Sequence, residues 1–200
     1  MTKNIYRLTA REIASKTGTP NDRNLTTRYF GRKFLEVLLD RMKALPEGSV
    51  VDLTFAEIEI VDASFPDEVF GALIMKRLAG EGSLPCIFLS DLDESNRESV
   101  EFTLISRPER HKGLRNCVLP VKSNGLEDLQ LVGKCEDNFK QTFDLLRVTR
   151  QLTTRQVADV LDLTAQAASS RLKALYDNGV ALRQETRDDQ GKQFVYKWLL

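Results

Sequence analysis

The feature that most limits what this chain can fold into is a change of hydrophobic period near residue 135. Before it, strand-like runs alternate with helix-like ones. Ile5 to Leu8, Val51 to Phe55, Asn116 to Val121 and Leu129 to Val132 read as strands, and Cys86-Ile87-Phe88-Leu89 as a strand buried on both faces. Between them Phe30, Phe34, Val37, Leu38 and Leu45 recur at helical spacing, with Thr26 or Thr27 as the cap. Val69, Phe70, Leu73, Ile74 and Leu78 repeat the pattern, ended by Gly80 and Gly82, and Glu94 to Ile105 reads as helical too. Helices alternating with buried strands predict an α/β fold with a parallel or mixed sheet.

After residue 135 the order becomes helix, helix, three-residue break, helix, then two strands. Phe139, Phe143, Leu146 and Val148 mark the first helix. Thr153-Thr154-Arg155-Gln156 is a capping-box sequence opening the second, Asp162-Leu163-Thr164 forms the break, and Gly179 sits where a left-handed cap belongs. Asp188-Asp189-Gln190-Gly191 reads as a hairpin turn. The change of pattern predicts two domains, 1–134 and 135–200, each long enough for a core and expected to fold separately.

Composition excludes several classes. With 29 Lys+Arg against 29 Asp+Glu and 42% hydrophobic residues, the chain is that of an ordinary globular protein. No stretch approaches the roughly 20 apolar residues of a membrane span, and Met1 to Ile5 lacks a signal-peptide layout; a cytoplasmic protein is expected. The three cysteines are widely spaced, no CxxC occurs and His111 is the single histidine, so no metal or cofactor is expected. Cys86 and Cys117 read as small buried hydrophobes. His111 lies in a basic segment that reads as a solvated loop, Gly80-Glu81-Gly82 follows a helix rather than a strand, and no carboxylates form an acid/base couple. No catalytic residues are assigned, and an enzyme is not expected.

The segments Leu152 to Leu161 and Thr164 to Leu175, with Asn178-Gly179-Val180-Ala181 before the hairpin, resemble the winged helix-turn-helix domains of MarR- and ArsR-type bacterial repressors. At about 100° per residue, Ala165, Ala168, Leu172, Leu175 and Tyr176 share one side of the third helix. Gln166, Ser170 and Lys173 share the other, flanked by Ser169 and Arg171. Amide, hydroxyl and cationic groups there suit base edges and phosphates in a major groove of double-stranded DNA. Thr164 opens that helix, Arg155 opens the one before it, and Arg187 and Lys192 bracket the wing turn. Against this, residues 135–200 carry a net charge of only +1, and Asp177, Asp188 and Asp189 lie close to the contact surface. A homodimer would combine two weak half-sites.

In the first domain, Val50 to Phe55 followed by Val61-Asp62-Ala63-Ser64-Phe65-Pro66-Asp67-Glu68-Val69-Phe70 resembles a STAS-like family of bacterial domains of unknown function, with Pro66 in place of a small residue. Thr27-Arg28 resembles that family's Ser-Arg pair. The family is similar to anti-anti-sigma factors, which bind an ATPase-fold kinase and are switched by serine phosphorylation; the resemblance therefore implies such a partner. Here the turn reads Asp62-Ala63-Ser64, so the position matching the phosphoserine is Ala63. Ser64 reads as a helix cap with Asp67 three residues on; a phosphorylated Ser64, or a partner or ligand rim made by Arg28, Asp62, Ser64, Asp67 and Glu68, are the alternatives. An Arg28–Asp67 or Arg28–Glu68 ion pair is the plainer expectation for Arg28.

These readings combine into a STAS-like α/β domain followed by a winged helix-turn-helix, and into a DNA-binding transcriptional regulator whose first domain senses a ligand or a partner protein. The alternative is a partner-switching adaptor whose winged helix binds protein.

Overall fold

The computed structural model describes residues 4–18, 21–80, 84–122, 128–188 and 191–200, with the backbone alone at Asp188. It is a mixed α/β fold around a mostly parallel sheet. Strands β1 (Ile5–Thr9), β3 (Val50–Thr54), β5 (Cys86–Ser90), β6 (Cys117–Lys122) and β7 (Leu129–Lys134) lie side by side in that order. β1 through β6 pair in parallel and β7 pairs antiparallel with β6.

The strand order decides where the helices go. From β1 to β6 the chain steps across the sheet in one direction, and crossovers between parallel strands are right-handed, so every crossover helix arrives on the same face. These helices are α2 (Arg28–Lys43), the segment α3 (Ser64–Pro66), π turn (Asp67–Gly71) and α4 (Ala72–Leu78), and α5 (Glu94–Arg110). One core joins Phe34 and Leu38 of α2, Leu73 and Ile74 of α4, and Val100 and Leu104 of α5 to Val51, Leu53, Ile87, Leu89, Leu119 and Val121 of the sheet.

The two-residue period of a strand leaves Val50, Cys86, Phe88, Val118 and Leu129 pointing the other way. That face is covered by the C-terminal third. Phe139, Phe143 and Leu146 of α6 (Asp137–Thr149) and Trp198 and Leu199 of the C-terminus share a second core with those strand residues. The expectation of separately folding domains meets this shared core: residues after 135 supply the second cover of the sheet. Cys86 and Cys117 are buried as read, but in different cores on opposite faces.

After α6 come β8 (Gln151–Thr153), α7 (Thr154–Leu161), α8 (Ala165–Asp177), β9 (Leu182–Asp188) and β10 (Gly191–Lys197). The capping box forms as read: the Thr153 hydroxyl accepts from the Gln156 amide and the Gln156 side chain accepts from the Thr153 amide. Asp162, at φ 51°, ends α7, and Thr164 caps α8 by accepting from the Ala167 amide. β9 and β10 form the hairpin; Asp188 pairs with Gly191, and the turn residues Asp189 and Gln190 lie outside the described residues. β8 adds a third strand on the other edge of β10.

Four short elements escape the sequence reading. α1 (Ala10–Ser15) is too brief to show a period. The two-residue strands β2 (Asn24–Leu25) and β4 (Ile60–Val61) exist through their mutual pairing, and β8 through pairing with residues more than forty positions later.

Candidate functional site

Asp67 is the centre of the first site. Its carboxylate is only 6% exposed and receives three guanidinium groups. Arg28 donates Nη1 to Oδ2 at 2.8 Å, and Arg110 donates through both terminal nitrogens at 3.1 Å. Arg107 donates Nη1 to Oδ1 and, at 2.9 Å, to the Asp67 main-chain carbonyl. Arg28 Nη1 also reaches Glu68 at 3.0 Å, so both plain ion pairs expected of Arg28 form. A buried carboxylate is tolerable only when paired in this way. Burial alone would raise the pKa of Asp67, but Arg110, Arg28 and Arg107 together hold it below the usual carboxylate value.

Local packing brings the partners together. Phe30 and Phe34 of α2 pack against Phe65, Phe34 edge-to-face with centroids 5.0 Å apart. Gly31 lets α2 approach, since a β-carbon there would lie 2.9 Å from that of Glu68. This close approach carries Arg28, the first residue of α2, over the π turn. Gly71 plays the same part for α5: the Arg107 guanidinium occupies the space a side chain at 71 would fill. Short π segments recur at functional sites, where they displace one side chain from the helical repeat.

Asp62 anchors the start of the α3 segment. It accepts from the amides of Thr27 at 3.0 Å, Ser64 at 2.8 Å and Phe65 at 3.1 Å, and from the Ser64 hydroxyl at 2.6 Å. It thereby ties the start of α3 to Thr27, which sits at φ 69° and caps α2 through the Phe30 amide. Burial would raise the Asp62 carboxyl, but these donors together lower it. This corrects the reading of Ser64 and Asp67 as a capping pair. The cap is Asp62, a charged acceptor that takes the free amides, while Ser64 donates to it and Asp67 turns away to the arginines. A cavity of about 230 Å³ opens beside the cluster, lined by Arg28, Ser64, Asp67 and Arg110 and closed by Phe102, Thr103 and Ser106. Sequence reasoning missed Arg107, Arg110 and Phe102, which belong to α5 and carry no local signal.

The second candidate surface is on α8. Gln166, Ser169, Ser170 and Lys173 are exposed, while Ala168, Leu172 and Leu175 are buried. Ala165, placed with the apolar side, is exposed. Arg171 turns toward α6 and donates to Gln141 at 2.9 Å. Several cations of this surface face a neighbouring acid: Lys173 pairs with Asp177, Arg155 with Asp159 at 4.0 Å, and Lys192 with Glu185 at 2.7 Å. Arg187 is exposed on the hairpin. Arg183, unremarked in the sequence, lies between the Tyr176 and Phe194 rings at 4.2 and 4.6 Å from their centroids.

The two sites are joined by one helical segment. It begins at the Asp62 cap and carries in its last turn Arg77, whose guanidinium donates to the Leu84 and Pro85 carbonyls and, at 3.4 Å, to the carbonyl of Tyr176 on α8. Comparison of the sequence with protein-family models and with characterised proteins returns no match. Among the described residues, no helix is long and apolar enough to cross a membrane.

Proposed function

We propose that the chain is a DNA-binding transcriptional regulator, with residues 1–134 a STAS-like sensing unit and 135–200 a winged helix-turn-helix. The observation that carries the reading is the division of α8: a buried stripe of Ala168, Leu172 and Leu175 opposite exposed Gln166, Ser169, Ser170 and Lys173. With α7 before it and the β9–β10 hairpin after it, such a helix is disposed to enter a major groove while the hairpin meets the flanking backbone. Arg155, Arg187 and Lys192 are the phosphate contacts in this reading, Thr164 stands at the groove end of α8, and two copies would read paired half-sites. What happens at the Asp67 cluster reaches α8 through the segment that carries Arg77, biasing the protein between binding-competent and incompetent arrangements.

The second reading, a partner-switching adaptor, is favoured by the acids beside Lys173, Arg155 and Lys192, which must be displaced before those cations can meet phosphate. In that reading the winged unit binds protein and the first unit answers to an ATPase-fold kinase.

Affinity for random-sequence duplex DNA, measured as a function of salt, separates the two. A DNA-binding chain loses affinity steeply as salt rises, because each neutralised phosphate releases counterions. Absence of binding at low salt would overturn the first reading.

A further inference from the structure

We propose that the cavity beside Asp67 binds a phosphate monoester carrying a small apolar group. Among the groups that pair with one another, three guanidinium groups, Arg28, Arg107 and Arg110, face two carboxylates, Asp67 and Glu68, leaving one positive charge in excess; the nearby Asp62 carboxylate is taken up by three main-chain amides and the Ser64 hydroxyl. That charge lies at the mouth: the Arg28 and Arg110 side chains are 51% and 46% exposed, whereas Arg107 is buried beneath. Arg28 and Arg110 both donate to Asp67 Oδ2, at 2.8 and 3.1 Å, which sets the two exposed guanidinium groups side by side at the mouth. Both bonds of Arg28, to Asp67 and to Glu68, run from Nη1, which leaves its Nε–Nη2 edge, the planar fork that matches a phosphate.

The opposite wall is apolar. Phe102 lines the cavity yet is 66% exposed, a large ring that folding leaves uncovered. The neighbouring hydroxyls are directed into the backbone: Thr103 donates to the Ala63 and Ser99 carbonyls and Ser106 to that of Thr103. The cavity therefore offers a cationic fork on one side and an aromatic face on the other. Its volume, about 230 Å³, falls below the roughly 300–1,000 Å³ of pockets for larger ligands, so it takes a phosphorylated side chain or a small phosphate ester rather than a whole nucleotide.

The proposal rests on reading the first unit as the sensing half, and its test uses no DNA. The full chain is titrated with phenyl phosphate and followed by amide chemical shifts. Saturable shifts are expected around residues 62–68 and 102–110. Arg110→Gln should weaken binding about tenfold, the loss of one charge-assisted contact. Phe102→Ala should bring phenyl phosphate down to the affinity of inorganic phosphate, and because Phe102 is exposed this variant decides the matter even if Arg110→Gln fails to fold. No saturation, or an affinity for phenyl phosphate unchanged by Phe102→Ala, overturns the site. A phosphotyrosine peptide that binds more tightly than phenyl phosphate assigns the ligand to a partner protein, and equal affinity assigns it to a free small molecule; both support the site. A chain that binds phenyl phosphate but no DNA would retire the regulator reading and leave the site standing.

Discussion

The guanidinium of Arg77 fills the space that a side chain at position 179 would occupy. Gly179 has φ 74°, and a β-carbon there would lie 2.6 Å from Nε and 2.7 Å from Cζ of Arg77. The end of α8 is thereby seated on the end of α4. Gly179→Ala should destabilise the protein by about 2 kcal/mol, combining left-handed strain with the displacement of Arg77. Adding Arg77→Ala should recover part of the steric share, a non-additivity that a double-mutant cycle in urea measures.

Because the second face of the sheet is covered by α6 and the C-terminus, the whole chain should unfold in one transition. Residues 135–200 alone should melt broadly, with Phe139, Phe143 and Trp198 stripped of Val50, Phe88 and Val118. A sharp calorimetric transition of that fragment at the midpoint of the intact protein would instead show two independently folding domains.

Asp67→Asn should cost about 3–5 kcal/mol, since it leaves guanidinium groups clustered without their shared counter-charge. The pH dependence follows from the lowered carboxyls of Asp67 and Asp62. A group held below its unfolded value stabilises the fold above that value, about 3.9 for aspartate, and the contribution disappears as pH falls through the folded value. The acid limb of the stability profile should therefore be shallower in Asp67→Asn than in the parent.

Ser64→Ala should cost about 1 kcal/mol, the loss of one hydrogen bond to Asp62. Ser64→Asp should be worse, because it sets a second carboxylate against Asp62 instead of supplying a cap. Denaturation midpoints of the two variants check the order. Mass spectrometry of protein from growing cells checks whether Ser64 carries phosphate; a stoichiometric phosphate would make it a switch and favour the adaptor reading.

On α8, Gln166→Ala and Ser170→Ala should relax sequence preference by roughly 1–3 kcal/mol per lost base contact, while Lys173→Ala should weaken binding to all duplexes alike. Competition between specific and random DNA distinguishes the two effects, and a triple variant with unaltered DNA affinity would remove α8 from the interface.

The longer strands and helices, the Thr153 capping box and the two-sided character of α8 were legible in the sequence because each depends on residues within a turn or two of one another. The Arg28–Asp67 pair was foreseeable as a charge match between two helix starts. The remainder belongs to tertiary structure. Arg107 and Arg110 meet Asp67 across about forty residues, and the Asp62 carboxylate takes the Ser64 and Phe65 amides and the Ser64 hydroxyl, which starts the helix earlier than the expected Ser64 cap would. The two-sided burial of β5 was readable from Cys86-Ile87-Phe88-Leu89, but not what would lie on its second face. That was decided by strand order: a sheet built in one direction places its crossover helices on one side, and the apolar face left over is removed from water by α6 and the C-terminal residues.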